Sequence, residues 1–168
     1  MKASLRGVAC QSAGAMLAFT LASCSLQGQP HGMPDVGVAE ESLNAGVRLT
    51  APEGWNTFKL ESAVTLLVEA TGDQELIFPP DFGIRAFRYE DGEWIEVASV
   101  QTERHRGDVV LATGNGEGLI GEVADIFPVI PDRSKPVTLR IFVIGRVYLP
   151  GGELGEGIGA YTDVTLRP

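Results

Sequence analysis

The sequence is poor in the residues that build most metal and redox centres. Its 168 residues include two cysteines and two histidines, which are too few for a zinc or iron–sulfur site with several such ligands. Basic residues are also scarce, 13 against 22 acidic ones, for a formal charge of −9. A sequence-independent nucleic-acid binder needs a basic surface. We therefore expect no cofactor, no metal site and no nucleic-acid partner.

A long apolar run is lacking as well. The stretch from Gly7 to Ala22 is small and apolar, but it is shorter than the roughly 20 residues that a transmembrane helix needs. It follows Lys2 and Arg6, and no acidic residue precedes Asp35. A basic start followed by a short apolar run is typical of an export signal.

The export signal ends in Leu21-Ala22-Ser23-Cys24. These four residues resemble a bacterial lipobox, the leucine–small–small–cysteine signature at which signal peptidase II cuts before a diacylglyceryl-modified cysteine. The resemblance implies that residues 1–23 are removed and that Cys24 carries a lipid anchor. It also implies a place on the outer face of the cell membrane or on the outer membrane. The alternative is an ordinary secretory signal cut near Ser23, and both interpretations export the protein.

Processing at this point changes the chain. It removes two of the 13 basic residues and none of the 22 acidic ones, which leaves a formal charge of −11. Cys24 is then the one cysteine left, so an internal disulfide is excluded and stability must come from a packed core. Residues 24–46 contain glycine and proline and no aromatic residue, which predicts a flexible tether. Because an anionic leaflet repels an acidic domain, the lipid is the expected membrane contact.

Residues 47–168 have the pattern of short strands joined by glycine and proline turns. Apolar and polar residues alternate from Ala63 to Glu69, as in a strand with one buried face. Asp91-Gly92 lies between two apolar runs, which is a strong hairpin signal. Two longer strands, Val137 to Tyr148 and Ile158 to Leu166, complete the chain. Seven to nine such strands predict an all-β sandwich or barrel.

A long penultimate strand followed by a hairpin to the last strand resembles an immunoglobulin-like sandwich, without the cysteine pair of antibody domains. The body is also similar to the β-sandwich domains of bacterial lipoproteins and to proteinase-inhibitor-type modules. That similarity rests on the alternating strand Val64-Thr65-Leu66 and on the turn at Gly72-Asp73. These resemblances imply an antiparallel sandwich of seven to nine strands over residues 47–168.

The hairpin around the Asp91-Gly92 turn is apolar on both faces. Phe87, Tyr89 and Trp94 share one face, and Tyr148 lies on the matching face of the penultimate strand. A sandwich strand normally needs one buried face. The second face is therefore either covered by a loop or exposed as a partner-binding patch formed by Tyr89, Trp94, Phe87 and Tyr148.

A covering loop is the favoured explanation for the second face. The connection from Leu119 to Pro131 is long enough to provide it, with a short helical turn near Val123–Ile126. Glu96 shares the aromatic face, which favours an outward position for that face.

Candidate catalytic groups are few. His105 is the one histidine of the body and lies between two arginines, as in a solvated loop. The run Gly114-Asn115-Gly116-Glu117-Gly118 lacks the Lys-Ser/Thr ending of a phosphate-binding loop. The carboxylates between Glu90 and Glu96 fit a hairpin tip. We therefore predict no catalytic residue.

The sequence thus predicts a lipid-anchored, non-catalytic binding or structural module whose partner is an envelope protein. Its oligomeric state is not readable from the sequence. Two alternatives stay open. A proteinase-inhibitor-like module would use a protruding loop such as Gly114–Gly121 or Gly151–Gly157. A carbohydrate-active hydrolase would use the Glu90–Glu96 carboxylates.

Overall fold

The computed structural model describes residues 32–52, 56–101, 105–112 and 121–168. These ranges form two β-sheets packed face to face, with one turn of 3₁₀ helix at Glu40–Ser42. The strands are β1 (Val47–Thr50), β2 (Thr57–Lys59), β3 (Val64–Ala70), β4 (Leu76–Phe78), β5 (Arg85–Glu90), β6 (Glu93–Val97), β7 (Ser99–Gln101), β8 (Val109–Leu111), β9 (Gly121–Pro128), β10 (Val137–Tyr148) and β11 (Leu154–Arg167). Across these ranges, no helix has the length and apolar character needed to cross a bilayer.

The strand order is that of an immunoglobulin-like sandwich. The smaller sheet has the order β1-β3-β9-β7, and the larger sheet begins β2-β11-β10. On the side away from β11, β10 pairs with β4 near its C-terminal end and with β5 near its N-terminal end. β8 then pairs with β4, and β6 pairs with β5. With β4 and β5 taken as one interrupted strand, the sheets match the A-B-E-D and A′-G-F-C-C′ orders. The predicted all-β sandwich is confirmed.

The described residues contain eleven strands, whereas the sequence predicts seven to nine. One reason is that the predicted strand from Trp94 to Val100 is divided between β6 in the larger sheet and β7 in the smaller one. Another is that β2 has three residues, too few for a visible alternation. β2 also pairs with β11 in parallel, so the larger sheet is mixed rather than purely antiparallel.

The interruption between β4 and β5 is built from unusual backbone. Phe82 has a φ of 56° and is buried against Phe78, with ring centroids 5.7 Å apart. Its carbonyl accepts a hydrogen bond from Ile144 N at 2.9 Å. Opposite this point, β10 carries Gly145, where a Cβ would lie 2.6 Å from both the Ile77 carbonyl oxygen and the Phe78 ring. The close approach of β4 to β10 therefore requires glycine at this position.

The main core lies between the two sheets. It is formed by the inward residues of strands that alternate buried and less buried positions, among them Val64, Leu66 and Val68 of β3 and Leu139, Ile141 and Val143 of β10. Leu139, Ile141 and Val143 are the inward residues that the alternation predicts for the penultimate strand. Burial of these side chains is the main source of stability in a domain without a disulfide.

The predicted helical turn near Val123–Ile126 is wrong, because the segment is part of β9. Ala124 and Ile126 point into the core, and Phe127 faces outward. Six residue pairs join β9 to β3 in antiparallel register, and this pairing overrides local helix preference. β9 belongs to the smaller sheet, so this stretch of the Leu119–Pro131 connection does not cover the aromatic face of the larger one.

Residues 32–46, here called the strap, lie on the larger sheet. Asn44 N donates to the Gly159 carbonyl at 2.8 Å, and Asn44 Oδ1 accepts from Tyr161 N at 3.1 Å. The strap thereby adds to the outer edge of β11, which β2 covers further along. This part of the predicted flexible tether is packed against the domain. The rest of the tether, the signal segment 1–23 and Cys24 fall outside the described residues.

Candidate functional site

The outer face of the larger sheet carries a cluster of aromatic side chains, here called the outer aromatic cluster. Strand register brings its members together, because β6 pairs with β5, and β10 pairs with both β5 and β11. Side chains directly opposite each other in such pairs lie about 4.5–5.5 Å apart at Cβ. The cluster comprises Phe87, Tyr89, Trp94, Phe142 and Tyr161.

Arg140 lies between two rings of this cluster. Its guanidinium carbon is 4.9 Å from the Trp94 ring centroid and 4.8 Å from that of Tyr161. Its Nε and Nη2 donate to the two carboxylate oxygens of Asp163 at 2.7 and 2.8 Å. The hydrogen bond from Arg140 to Asp163 raises the pKa of the guanidinium above its ordinary value. A fixed, fully charged cation therefore holds both rings by cation–π attraction.

The rings also contact one another. Phe87 and Phe142 meet edge to face, with centroids 5.7 Å apart and ring planes at 89°. Phe142 contacts Tyr161 at 5.5 Å, and Tyr89 contacts Trp94 at 5.3 Å with an angle of 65°. Edge-to-face and tilted contacts are favourable geometries for aromatic pairs. The cluster is therefore a packed group rather than a set of separate surface residues.

Arg85 forms a second charged contact on this face. It makes a two-pronged pair with Glu96, with donor–acceptor distances of 2.7 and 2.8 Å, and lies over the Phe87 ring at 5.0 Å. The hydrogen bond from Arg85 lowers the pKa of Glu96 below its ordinary value, and the same bond raises the pKa of Arg85. Glu96 on this face is consequently a hydrogen-bonded carboxylate rather than a free one.

The strap covers much of the outer aromatic cluster. Val36 and Leu43 are buried in a second hydrophobic cluster with Phe87 and Phe142, separate from the main core. Met33 packs against the same cluster. A covered aromatic face is what the sequence favours, but the cover is the N-terminal chain, which packs by scattered apolar residues rather than by a periodic element.

Two sheet side chains donate hydrogen bonds to the main chain of the strap. Trp94 Nε1 donates to the Gly32 carbonyl at 3.2 Å, and Arg85 Nη1 donates to the Asp35 carbonyl at 3.3 Å. Both donors belong to the β5–β6 hairpin. The outer face therefore recognises an extended piece of chain by its carbonyls as well as by its apolar side chains.

The four residues of the predicted patch do not form one surface. Phe87 is buried beneath the strap, Trp94 is half-buried, and Tyr89 is 38 % exposed. Tyr148 lies at the far end of β10, where it pairs with Leu154. Tyr89 adjoins the start of that strand, so roughly 30 Å separates it from Tyr148 at the rise of an extended chain.

Two further residues at this end of the sheet were not among the predicted patch residues. Ile95 is 39 % exposed on the other side of the hairpin from Trp94, and Arg140 contacts the Trp94 and Tyr161 rings. Arg140 stands at an outward position of a strand whose neighbouring outward position is Phe142. An arginine beside aromatic residues on one strand face is the signal that was available.

His105 lies at the edge of the main core. It is half-buried, its ring meets Phe82 edge-on at 5.6 Å, and its Nε2 lies 3.9 Å from a Glu122 carboxylate oxygen. The cavity beside it measures about 10 Å³, the space of a single water. Among the described residues, His105 therefore packs against the core beside a cavity of that size.

The remaining candidate groups are spread apart. Glu96 pairs with Arg85, and Glu90 pairs with Arg88 at 2.7 Å, so these carboxylates are engaged along an exposed hairpin. The predicted loop Gly151–Gly157 is a short turn followed by the start of β11. Within the described ranges, no three His, Cys, Asp or Glu side chains are placed to hold a metal.

The glycine-rich run Gly114–Gly118 lies outside the described residues. So does the predicted loop Gly114–Gly121 except for its last residue, which begins β9.

No family model matches the chain, and no curated protein matches it. Among solved structures, it is similar to the chaperone DraB of E. coli, with a TM-score of 0.45 and 15 % sequence identity over 73 % of this chain. The chain spans 55 % of the length of that protein.

Proposed function

We propose that the protein is a non-catalytic binding module of the bacterial cell envelope, anchored by lipid at Cys24. The observation that carries the binding role is the Tyr89–Trp94 pair at the end of the β5–β6 hairpin, the accessible remainder of the predicted patch. Tyrosine and tryptophan are enriched at the centres of protein interfaces. Trp94 is held in place by Arg140 and by the Gly32 carbonyl, and a side chain ordered before binding loses little entropy.

The anchor is supported by the sequence. A basic start, a short apolar run and Leu21-Ala22-Ser23-Cys24 occur in the order that lipid modification requires. The strap begins at Gly32, eight residues after Cys24. A lipid at Cys24 would therefore hold the β5–β6 hairpin near the membrane surface, where an envelope partner is available.

Metabolic labelling tests the anchor. Cells producing the tagged protein are fed an alkyne fatty acid, and the purified protein is examined for the label and by mass spectrometry of its N-terminal peptide. We expect the label on the native protein and none on Cys24→Ser, with the native protein in the membrane fraction. An exported native protein without acyl groups would refute the anchor.

Site-specific photocrosslinking tests the binding role. A photoreactive amino acid replaces Tyr89 in one version and Tyr148, at the other end of the same sheet face, in a matched control. We expect one dominant adduct from position 89 and none of that mass from position 148, with the adduct lost when Trp94→Ala is added. Identical adducts from both positions, or none from position 89, would refute recognition by the hairpin.

A further inference from the structure

The strap is attached to the sandwich differently from the strands. From Gly32 to Ser42 its described contacts with the sheet are side-chain packing and hydrogen bonds from Trp94 and Arg85 to strap carbonyls and from Arg140 to the Met33 sulfur. The sheets, in contrast, are joined by long main-chain ladders, such as the pairing of β10 with β11. Segments with few main-chain hydrogen bonds open at lower free energy than core strands.

The strap also ends at a natural hinge. Asn44 has a φ of 61°, in the left-handed region, and Gly46 follows immediately before β1. Hinges are a few residues at element ends that absorb large backbone changes. Rotation here would lift the strap while the register of β10 with β5 and β11 stays unchanged.

We propose that the strap is a reversible cover. Its release exposes Phe87, Phe142 and Tyr161, and it frees the Trp94 and Arg85 donors that now hold the strap carbonyls. The uncovered face fits an extended peptide segment of the strap's own chemistry, with valine, leucine or proline side chains against the rings and carbonyls toward the two donors. The uncovered face would bind this peptide as it binds the strap, by packing of apolar side chains and by hydrogen bonds to backbone carbonyls.

Release also changes how far the domain reaches from an anchor at Cys24, a consequence that rests on the proposed function. With the strap docked, seven residues lie between Cys24 and Gly32, and the two positions are at most about 27 Å apart when the chain is fully extended. With the strap released up to Asn44, which stays hydrogen-bonded to β11, 19 residues lie between Cys24 and Asn44, and these two positions are at most about 68 Å apart. One transition thus uncovers a surface and lengthens the tether.

A disulfide lock tests the cover. A Cβ at Gly157 would lie 3.4 Å from Val38 Cγ2, an atom that is bonded to Cβ as the sulfur of a cysteine would be, so the two positions are chosen for an engineered disulfide. The test protein carries Val38→Cys and Gly157→Cys in a Cys24→Ser background, and its reduced form is the matched control. Amide hydrogen exchange, followed by mass spectrometry, compares peptides of the strap with peptides of β10.

We expect strap amides of the reduced protein to exchange at least tenfold faster than β10 amides. Oxidation should slow the strap amides at least tenfold and leave β3 and β9 unchanged. Val36→Asp places a charge against Phe87 and Phe142 and should therefore make the strap amides exchange at least tenfold faster. Strap amides that exchange as slowly as β10 amides, with no effect of the lock, would overturn the proposal.

A second measurement separates the cover from the anchor. The lipidated native chain on a supported bilayer is studied by neutron reflectometry, beside a lipidated Val36→Asp variant. We expect the variant to stand further from the bilayer, by up to about 41 Å at full extension. If hydrogen exchange shows opening and Cys24 carries no lipid, the proposed anchor fails and the cover stands. If Cys24 is lipidated and neither measurement shows opening, the cover fails and the anchor stands.

Discussion

The two outer faces of the sandwich differ in what lies on them. The outer face of the smaller sheet has no strap and is partly exposed: Val100 is 64 % and Phe127 39 % exposed, whereas the charged residues Glu69 and Asp125 on the same face are buried, and Glu69 pairs with Arg48 at 2.9 Å. The outer face of the larger sheet lies beneath the strap, and Phe142 there is fully buried. Both faces come from strands with the same alternation, so the periodicity of a strand shows which side chains share a face without showing what covers them.

The contrast also explains why the arginines behave differently. Arg48 is half-exposed and makes one ion pair with the buried Glu69 carboxylate, whereas the largely buried Arg140 lies between two rings and makes a two-pronged pair with Asp163. Single ion pairs of half-exposed residues contribute little to stability, and the cation–π and two-pronged contacts of a largely buried guanidinium contribute more. Covering a face turns charged residues into part of its packing.

The largest expected difference between the two faces is in the cost of removing one phenylalanine ring from each. Phe142→Ala should lower the free energy of unfolding by about 3–5 kcal/mol, because it leaves a cavity between the strap and β10. Phe127→Ala removes the same ring from an exposed position and should cost less than about 1 kcal/mol. Urea denaturation followed by circular dichroism measures both. Equal losses would mean that the two faces are buried alike, contrary to the structure.

Arg140→Lys tests how much the planar shape of the guanidinium, rather than its charge, contributes to the stability of the covered face. Lysine keeps the positive charge but loses the planar fork and the stacking between Trp94 and Tyr161. We expect a loss of about 1–2 kcal/mol in the free energy of unfolding. Arg48→Lys keeps the charge of a single ion pair and should change the free energy of unfolding by less than about 0.5 kcal/mol. The interpretation is contradicted if Arg140→Lys is as silent as its control.

A smaller effect concerns pH. The pKa of Glu96 is held below its ordinary value by the hydrogen bond from Arg85. Its contribution to stability is therefore complete above the ordinary glutamate pKa of about 4.3 and is lost as the pH falls through the lower folded value. We expect the melting temperature of the native protein to drop more steeply below about pH 4.3 than that of Glu96→Gln. Parallel curves for the two proteins would argue against this pair as a pH-sensitive support of the strap.

The smallest effect on stability is expected at the hairpin end. Tyr89→Ala removes a partly exposed ring and should change the free energy of unfolding by no more than about 0.5 kcal/mol. The same change should abolish crosslinking from a photoreactive residue at position 95, on the other side of the hairpin. Tyr148→Ala should leave that adduct intact. Loss of the adduct in both variants would indicate a binding surface larger than the hairpin.

Much of the sandwich was predictable because its signals are local. Asp91-Gly92 specifies the β5–β6 hairpin, and both residues have the positive φ that such a turn needs. The inward residues of β10 follow directly from alternation. The segment Val123–Ile126 was not predictable in this way, because its strand conformation depends on pairing with β3, which is distant in sequence.

The strap was not predictable for a related reason. Val36 and Leu43 are separated by residues without a helix or strand period, and glycine and proline around them are typical of a linker. Their burial depends on rings that lie on β5 and β10. Phe87, Tyr89 and Trp94 lie on one face of the larger sheet, but that face extends along the whole strand, and Tyr148 lies at its opposite end.

The closed edge of β11 has a consequence for how copies of this protein behave when crowded. An unpaired strand edge offers hydrogen-bonding groups to any neighbouring chain and promotes edge-to-edge aggregation. Along β11 that edge is occupied by Leu43 and Asn44 at one point and by β2 at another. The segment that shields the aromatic face therefore also keeps one side of the larger sheet from recruiting foreign strands. Partial loss of the strap in a damaged chain would create a self-association hazard as well as an open surface.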